Sequence, residues 1–146
     1  MEKSLSFFEK MKQEFACENK DIRTYSPLTL AFVGDCVFDL IIRTVVVERA
    51  NRSPHDLHKM KSAIVKAKTQ ADLGEAIQEF LTEEEQAVYK RGRNAKSAST
   101  AKNASVGDYR KATALEALVG YLFLQNQEDR ILFLVKSGLE KMNITI

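Results

Sequence analysis

Apolar residues return every three or four positions along most of this chain, and that period predicts helices rather than strands. Leu5, Phe8, Met11 and Phe15 mark a first amphipathic helix running to about Ala16, followed by a connector from Asn19 to Ser26. Pro27 suits a first helical turn, and the stretch from there to about Ala50 is apolar nearly all round, as a central core helix would be. Within it Thr44 to Val47 is β-branched, but no second strand-like run exists to pair with it. Ser53-Pro54 reads as an N-cap with proline at the first helical position, and Leu57, Met60 and Ile64 then give the buried stripe of a third helix. A fourth helix opens at Thr69 with Leu73, Ile77 and Phe80 on its inner face. Thr82 and Glu85 form a capping box for a fifth, which should stop near Gly92 or Asn94. From Arg93 to Asp108 no apolar period survives, so this reads as a loop long enough to be functional. A sixth helix follows from about Tyr109 to Gln125, and a seventh carries Ile131, Leu134, Val135, Leu139 and Met142 on one face. The fold class expected is all-α, about seven helices in a compact bundle, with residues 1–146 forming a single domain.

Composition narrows the class without naming a function. A hydrophobic fraction of 45% with 29% charged residues suits an ordinary globular protein. No apolar run reaches the roughly 18–20 residues that span a bilayer, so a cytoplasmic protein without a membrane partner is expected. Cys17 and Cys36 lack metal-ligand spacing; Cys36, inside an apolar helix, reads as a small hydrophobe, and both are expected to be reduced and structural. The net charge of +2 hides an uneven distribution: residues 90–111 carry Lys90, Arg91, Arg93, Lys96, Lys102, Arg110 and Lys111 against Asp108 alone. A basic segment on an otherwise mildly acidic chain is a footprint for a polyanion such as a phosphate backbone.

The candidate chemistry lies in two carboxylates set in apolar helical stretches, Asp35 in LAFVGDCVFDLII and Glu116 in ATALEALVGYLFL. A charge on an apolar face costs several kcal/mol, of the order of about what a small domain can spare, unless a partner, proton or metal compensates it. Asp39 has an ordinary explanation, since Arg43 follows one turn later on the same face, whereas Asp35 has no such cation. Gly34 beside Asp35 and Gly120 one turn after Glu116 suggest close approach of another backbone at both places. By themselves these residues leave open whether the carboxylates are structural hydrogen-bond acceptors, metal ligands or catalytic groups.

A resemblance adds to that reading. FVGDCVFDLIIR resembles the signature helix of the ribonuclease III endonuclease domain, ATALEALVGYLFL resembles its second acidic helix, and LHKMKSAIVKAKTQADL resembles the segment between them. The similarity runs from about Leu28 to Leu124 and points to the minimal branch of that family, in which no double-stranded-RNA-binding domain follows the last helix. The resemblance implies the fold of that endonuclease domain and a Mg2+-dependent endoribonuclease acting on double-stranded RNA, with Asp35 and Glu116 as catalytic and metal-binding residues. It also implies a 23S ribosomal RNA precursor as substrate. Longer family members place a glutamate where this chain has Ala31 and an aspartate where it has Thr113, so the acidic set is thinned to two. Water would then complete the shell of a bound ion, which Mg2+ tolerates.

The same resemblance places Phe32 in a homodimer interface and makes Arg91, Arg93, Lys96, Lys102, Asn103, Arg110 and Lys111 the expected RNA-binding residues. A-form RNA offers phosphates and 2′-hydroxyls across a wide minor groove, which suits Lys, Arg and Asn contacts better than base reading. The alternative for Phe32 is an ordinary core aromatic. His55 and His58 share a helix start without a third ligand and read as solvated. The rival to an enzyme is a non-catalytic RNA-binding or ribosome-assembly module on the same fold.

Overall fold

A computed structural model describes residues 4–49, 53–96 and 105–146. Those residues form seven α-helices and two 3-10 turns, without strands: α1 Phe7–Glu14, α2 Pro27–Arg49, α3 Pro54–Val65, α4 Ala67–Ala76, α5 Glu83–Asn94, α6 Val106–Phe123 and α7 Glu128–Lys141. The all-α expectation holds, and Thr44 to Val47 continues α2 rather than breaking into a strand.

The axis of the molecule is α6, whose Ala112, Thr113, Ala114, Leu115, Ala117, Leu118, Val119, Gly120 and Leu122 are all buried. Around it pack α2, α4, α5 and α7, and the main core gathers Phe38, Ile42, Leu73, Ile77, Leu115, Leu118 and Leu122. The tightest contact is the crossing of α2 over α6. A Cβ on Gly34 would sit 1.7 Å from the Glu116 carbonyl oxygen, and one on Gly120 would sit 1.9 Å from that of Leu30. Each glycine therefore lies on the backbone of the opposite helix, one turn along its own helix from the residue that the other glycine touches. Only residues without a side chain permit this separation.

Caps and pairs position the remaining helices. Ser53 accepts from the Asp56 amide at the start of α3, and the Thr82–Glu85 capping box opens α5 as expected. Glu85 does more than cap: its carboxylate is buried and receives Nε and Nη2 of Arg130 at 2.9 and 2.7 Å, while the same Nη2 donates to the Phe80 carbonyl at 2.6 Å. The Arg130 hydrogen bonds, ahead of the Thr82 backbone contact, hold the Glu85 carboxyl below its ordinary range against the opposing effect of burial. This ties the start of α7 to the start of α5.

The bounds of α1, α4 and α6 differ from those expected, whereas α5 ends at Asn94, one of its two expected stops. α1 is shorter at both ends and buries none of its residues; Phe15 is 78% exposed, and only Phe8 finds an aromatic partner, Phe123, at 5.1 Å between ring centroids. Its seat is largely polar, with Ser6 and Glu9 hydrogen-bonded to Asn126. α4 starts before Thr69 and ends at Ala76, with Gln78–Phe80 forming a 3-10 turn, because Thr69 and Gln70 turn inward to donate to the Ala63 and Val65 carbonyls at the end of α3. α6 begins at Val106, earlier than Tyr109, since Ser105 caps it through the Asp108 amide. Arg93 lies inside α5 rather than in the loop. Ile22–Thr24 forms a 3-10 turn in the expected connector, capped by Asp21.

The α2–α6 crossing makes a direct prediction. Overpacking a core that can yield costs about 1–3 kcal/mol, but a carbonyl oxygen of a central helix cannot rotate away. Gly34→Ala should therefore lose more than about 3 kcal/mol in urea denaturation. Gly107→Ala, where an added Cβ meets nothing closer than the Ser105 hydroxyl at 4.0 Å, should fold like the wild type.

Candidate active site

The crossing that joins α2 to α6 also joins the two carboxylates. Asp35 follows Gly34, and the Glu116 carbonyl is the atom Gly34 rests on, so the side chains leave adjacent turns of two helices in near contact. Asp35 is exposed and Glu116 is half-buried, with its carboxyl hydrogen-bonded to that of Asp35. Burial, then the Asp35 hydrogen bond and charge, pushes the Glu116 carboxyl up to about 9. The cost of charging Glu116 here favours its protonated form, whose hydroxyl can donate to Asp35. Two carboxylates this close share a proton or a cation.

Ala31 and Thr113, the positions at which longer relatives were expected to hold acids, are buried close to this pair, each 8% exposed. The Thr113 hydroxyl donates back to the Tyr109 carbonyl at 3.0 Å, so it is engaged within its own helix. Among the described residues no group of three or more His, Cys, Asp or Glu side chains gathers to hold a metal. Asp39 is drawn off as expected, paired with Arg43 at 2.6 Å and also with Lys61 of α3 at 3.5 Å. A pair of adjoining carboxyls, one open to solvent, nevertheless suits a hard divalent cation that keeps most of its waters. Its binding would displace the Glu116 proton.

The basic residues fall on two helix ends. Gly92 packs against α6, an added Cβ lying 2.9 Å from Ala114 Cα and Ala117 Cβ and 3.5 Å from the Thr113 carbonyl. The last turn of α5, which carries Arg91 and Arg93, therefore crosses α6 between Thr113 and Ala117, the stretch of α6 that also holds Glu116. Sequence reading took Gly92 only as a helix stop; what it missed is that the small residues Ala114 and Ala117 lie on one face of α6 to receive it. Arg91, Lys96 and Arg110 are exposed and Arg93 is half-buried near Tyr89, while Lys111 is paired with Glu75 of α4. Lys102 and Asn103 lie outside the described residues.

Phe32 is 81% exposed, which excludes the core alternative. Leu28, Phe32, Cys36 and Leu40 succeed one another at one-turn spacing on the solvent side of α2 and are all exposed. Cys36 is thereby corrected: it belongs to this outward row, not to the core, because the inner arc of α2 is taken by Leu30, Gly34, Phe38 and Ile42. Cys17 is exposed as well. His55 and His58 are exposed, with His58 Nε2 3.4 Å from the Ser62 hydroxyl.

An all-α fold of seven helices among the described residues, in which a glycine crossing brings two carboxyls together, defines an α-domain with an acidic pair at its central crossing. A ribonuclease III domain model matches residues 28–127. The chain belongs to the ribonuclease III family. It is similar to the Mini-ribonuclease 3 proteins of Staphylococcus aureus, 44% identical with 78% of this chain and 87% of the relative covered, and of Enterococcus faecalis, 44% identical with 86% and 97% covered. That of a Thermoanaerobacter species is 43% identical, with 90% and 91% covered. A crystal structure of a Fusobacterium nucleatum protein shares the fold at a TM-score of 0.76 and 34% identity, covering 85% of this chain and 99% of its own.

The raised Glu116 carboxyl sets a pH dependence. A group whose pKa is higher folded than unfolded gives full stabilisation below the unfolded value near 4.5 and loses it as pH rises toward about 9. Glu116→Gln should therefore melt above the wild type at pH 8 in EDTA, with the difference shrinking toward pH 4.5, as followed by circular dichroism.

Proposed function

We propose that this ribonuclease III-type endoribonuclease cleaves double-stranded RNA with Mg2+ held by Asp35 and Glu116. The observation that carries the reading is the contact between those two carboxyls at the α2–α6 crossing, one open to solvent and one holding a displaceable proton. A bound Mg2+ would supply an activated water and neutralise charge developing on the scissile phosphate. The chain's own part is to orient. Asp35 faces the solvent from which a phosphate approaches. Glu116, its proton released to solvent, would be a second anionic ligand for the ion, and Arg91, Arg93, Lys96, Lys102, Asn103, Arg110 and Lys111 would hold the duplex backbone. Hydrolysis joins a water oxygen to phosphorus and breaks one phosphodiester P–O bond. We take the substrate to be the 23S ribosomal RNA precursor and the setting to be the cytoplasm, by analogy with the family. Residues 1–146 act as one domain.

The exposed row on α2 supports a homodimer in which Phe32 of each protomer enters a pocket of the other. An apolar row with an 81% exposed phenylalanine at its centre favours burial against a second copy. Two sites would then face one duplex, giving a staggered double cut.

One observation favours a second reading, a non-catalytic RNA-binding or ribosome-assembly module: Ala31 and Thr113 leave the site with two acids where longer relatives are expected to have four. A gel with labelled duplex RNA separates the two. Asp35→Asn should retain the fold and the helical spectrum while losing cleavage in magnesium by about two orders of magnitude or more. Wild-type protein that leaves the duplex uncut at every magnesium concentration would establish the binding module instead. Phe32→Asp should sediment as a monomer and turn double cuts into nicks.

A further inference from the structure

Among the described members of the basic surface, Lys111 differs from the rest. Arg91, Arg93, Lys96 and Arg110 form no ion pair with a described residue, whereas Lys111 Nζ donates to Glu75 Oε1 across 36 positions of sequence, from α6 to α4. The amine is held in its charged form first by that hydrogen bond and charge, then by Asp108 and Asp72. Two features argue that this pair is more than a staple. α4 is already seated on α6 through Leu73 against Ala114, Leu115 and Leu118 in the core, so the helices do not need a surface pair to hold them. Lys111 is also the sixth residue of α6, beyond its first turn, so the helix terminus gives its charge no local role. Both side chains remain open to solvent, 37% exposed for Lys111 and 54% for Glu75, so an incoming anion can reach the amine.

We infer that Glu75 is an internal counter-anion, a carboxylate that occupies on Lys111 the place of an RNA phosphate and must be displaced when a duplex docks. The inference rests on the duplex-RNA reading above and assigns to Glu75 a specificity role within it. In the free protein Lys111 is neutralised by a tethered carboxylate rather than by mobile ions, so its capture of a phosphate releases no salt ion and adds nothing to the salt dependence of binding. An isolated phosphate has little to gain by competing with a carboxylate already in place. A duplex anchored by Arg91, Arg93, Lys96 and Arg110 presents its next phosphate at high local concentration and can make the exchange. The pair thus favours a continuous polyanion over scattered anions.

The test measures binding of a fluorescein-labelled RNA duplex by anisotropy in EDTA across a KCl series. It compares the full-length wild type with Glu75→Gln, Lys111→Ala, the double variant, and Glu79→Gln. The last removes the same charge from the similarly exposed Glu79–Lys141 pair, which joins the Gln78–Phe80 turn to α7 instead of α4 to α6. Glu75→Gln should bind about two- to fivefold more tightly at low salt, as expected for freeing one exposed pair. The slope of log K against log salt should steepen by about one. Both effects should vanish in the Lys111→Ala background and be absent from Glu79→Gln, and circular dichroism melting should place Glu75→Gln within about 2 °C of wild type. A wild type that binds duplex while Glu75→Gln changes neither affinity nor slope, or weakens binding, overturns the inference alone. So does equal tightening in the Lys111→Ala background or in Glu79→Gln, which would reduce the effect to net charge. A wild type that binds no duplex at any salt overturns the RNA reading and the inference with it.

Discussion

The crossing of α2 on α6 is the constraint on which the rest of the structure depends. With Gly34 against the Glu116 carbonyl and Gly120 against that of Leu30, two helix backbones touch without side chains between them. That contact brings Asp35 to Glu116. Elsewhere two carboxyl groups on neighbouring helices would lean apart into solvent, but helices locked at this distance leave Glu116 half-buried and facing Asp35. The rise in its pKa to about 9 follows from the geometry of two glycines.

The same logic repeats on the other flank of α6. Gly92 fits against Ala114 and Ala117, so the last turn of α5 packs on the stretch of α6 that holds Glu116. The buried Glu85–Arg130 pair fixes the opposite end of α5 against α7. Small residues thus set where helices lie, and the polar pairs set where they start. α6 carries Glu116, receives the end of α5 through Gly92 and reaches α4 through the Lys111–Glu75 pair.

Much of this was legible in the residues themselves. The 3.6-residue period, the Ser53-Pro54 start and the Thr82–Glu85 box located most helices, since those signals are local and depend on near neighbours in the chain. Asp35 and Glu116 stood out because a carboxylate in an apolar helical run conflicts with its surroundings, and Gly34 and Gly120 announced close contact by their cost in a helix. Boundaries were less legible where a side chain chose a distant or neighbouring-helix partner. Thr69 and Gln70 turned in toward the Ala63 and Val65 carbonyls at the end of α3, so α4 starts earlier than its apolar period suggests.

The amino-acid pattern by itself determined the all-α class, the caps and the chemical character of the candidate site, because each of these follows from residue type and spacing within a few turns. Only the tertiary structure decided which faces point outward. Phe32 and Cys36 lie in an apolar stretch that reads as core throughout, yet the inner arc of α2 is filled by Leu30, Gly34, Phe38 and Ile42, so they are left to solvent. Tertiary structure alone also decided that Lys111 meets Glu75 and that burial beside Asp35 raises the Glu116 carboxyl. Charge pairing and desolvation are properties of positions in space, and the chain order does not contain them.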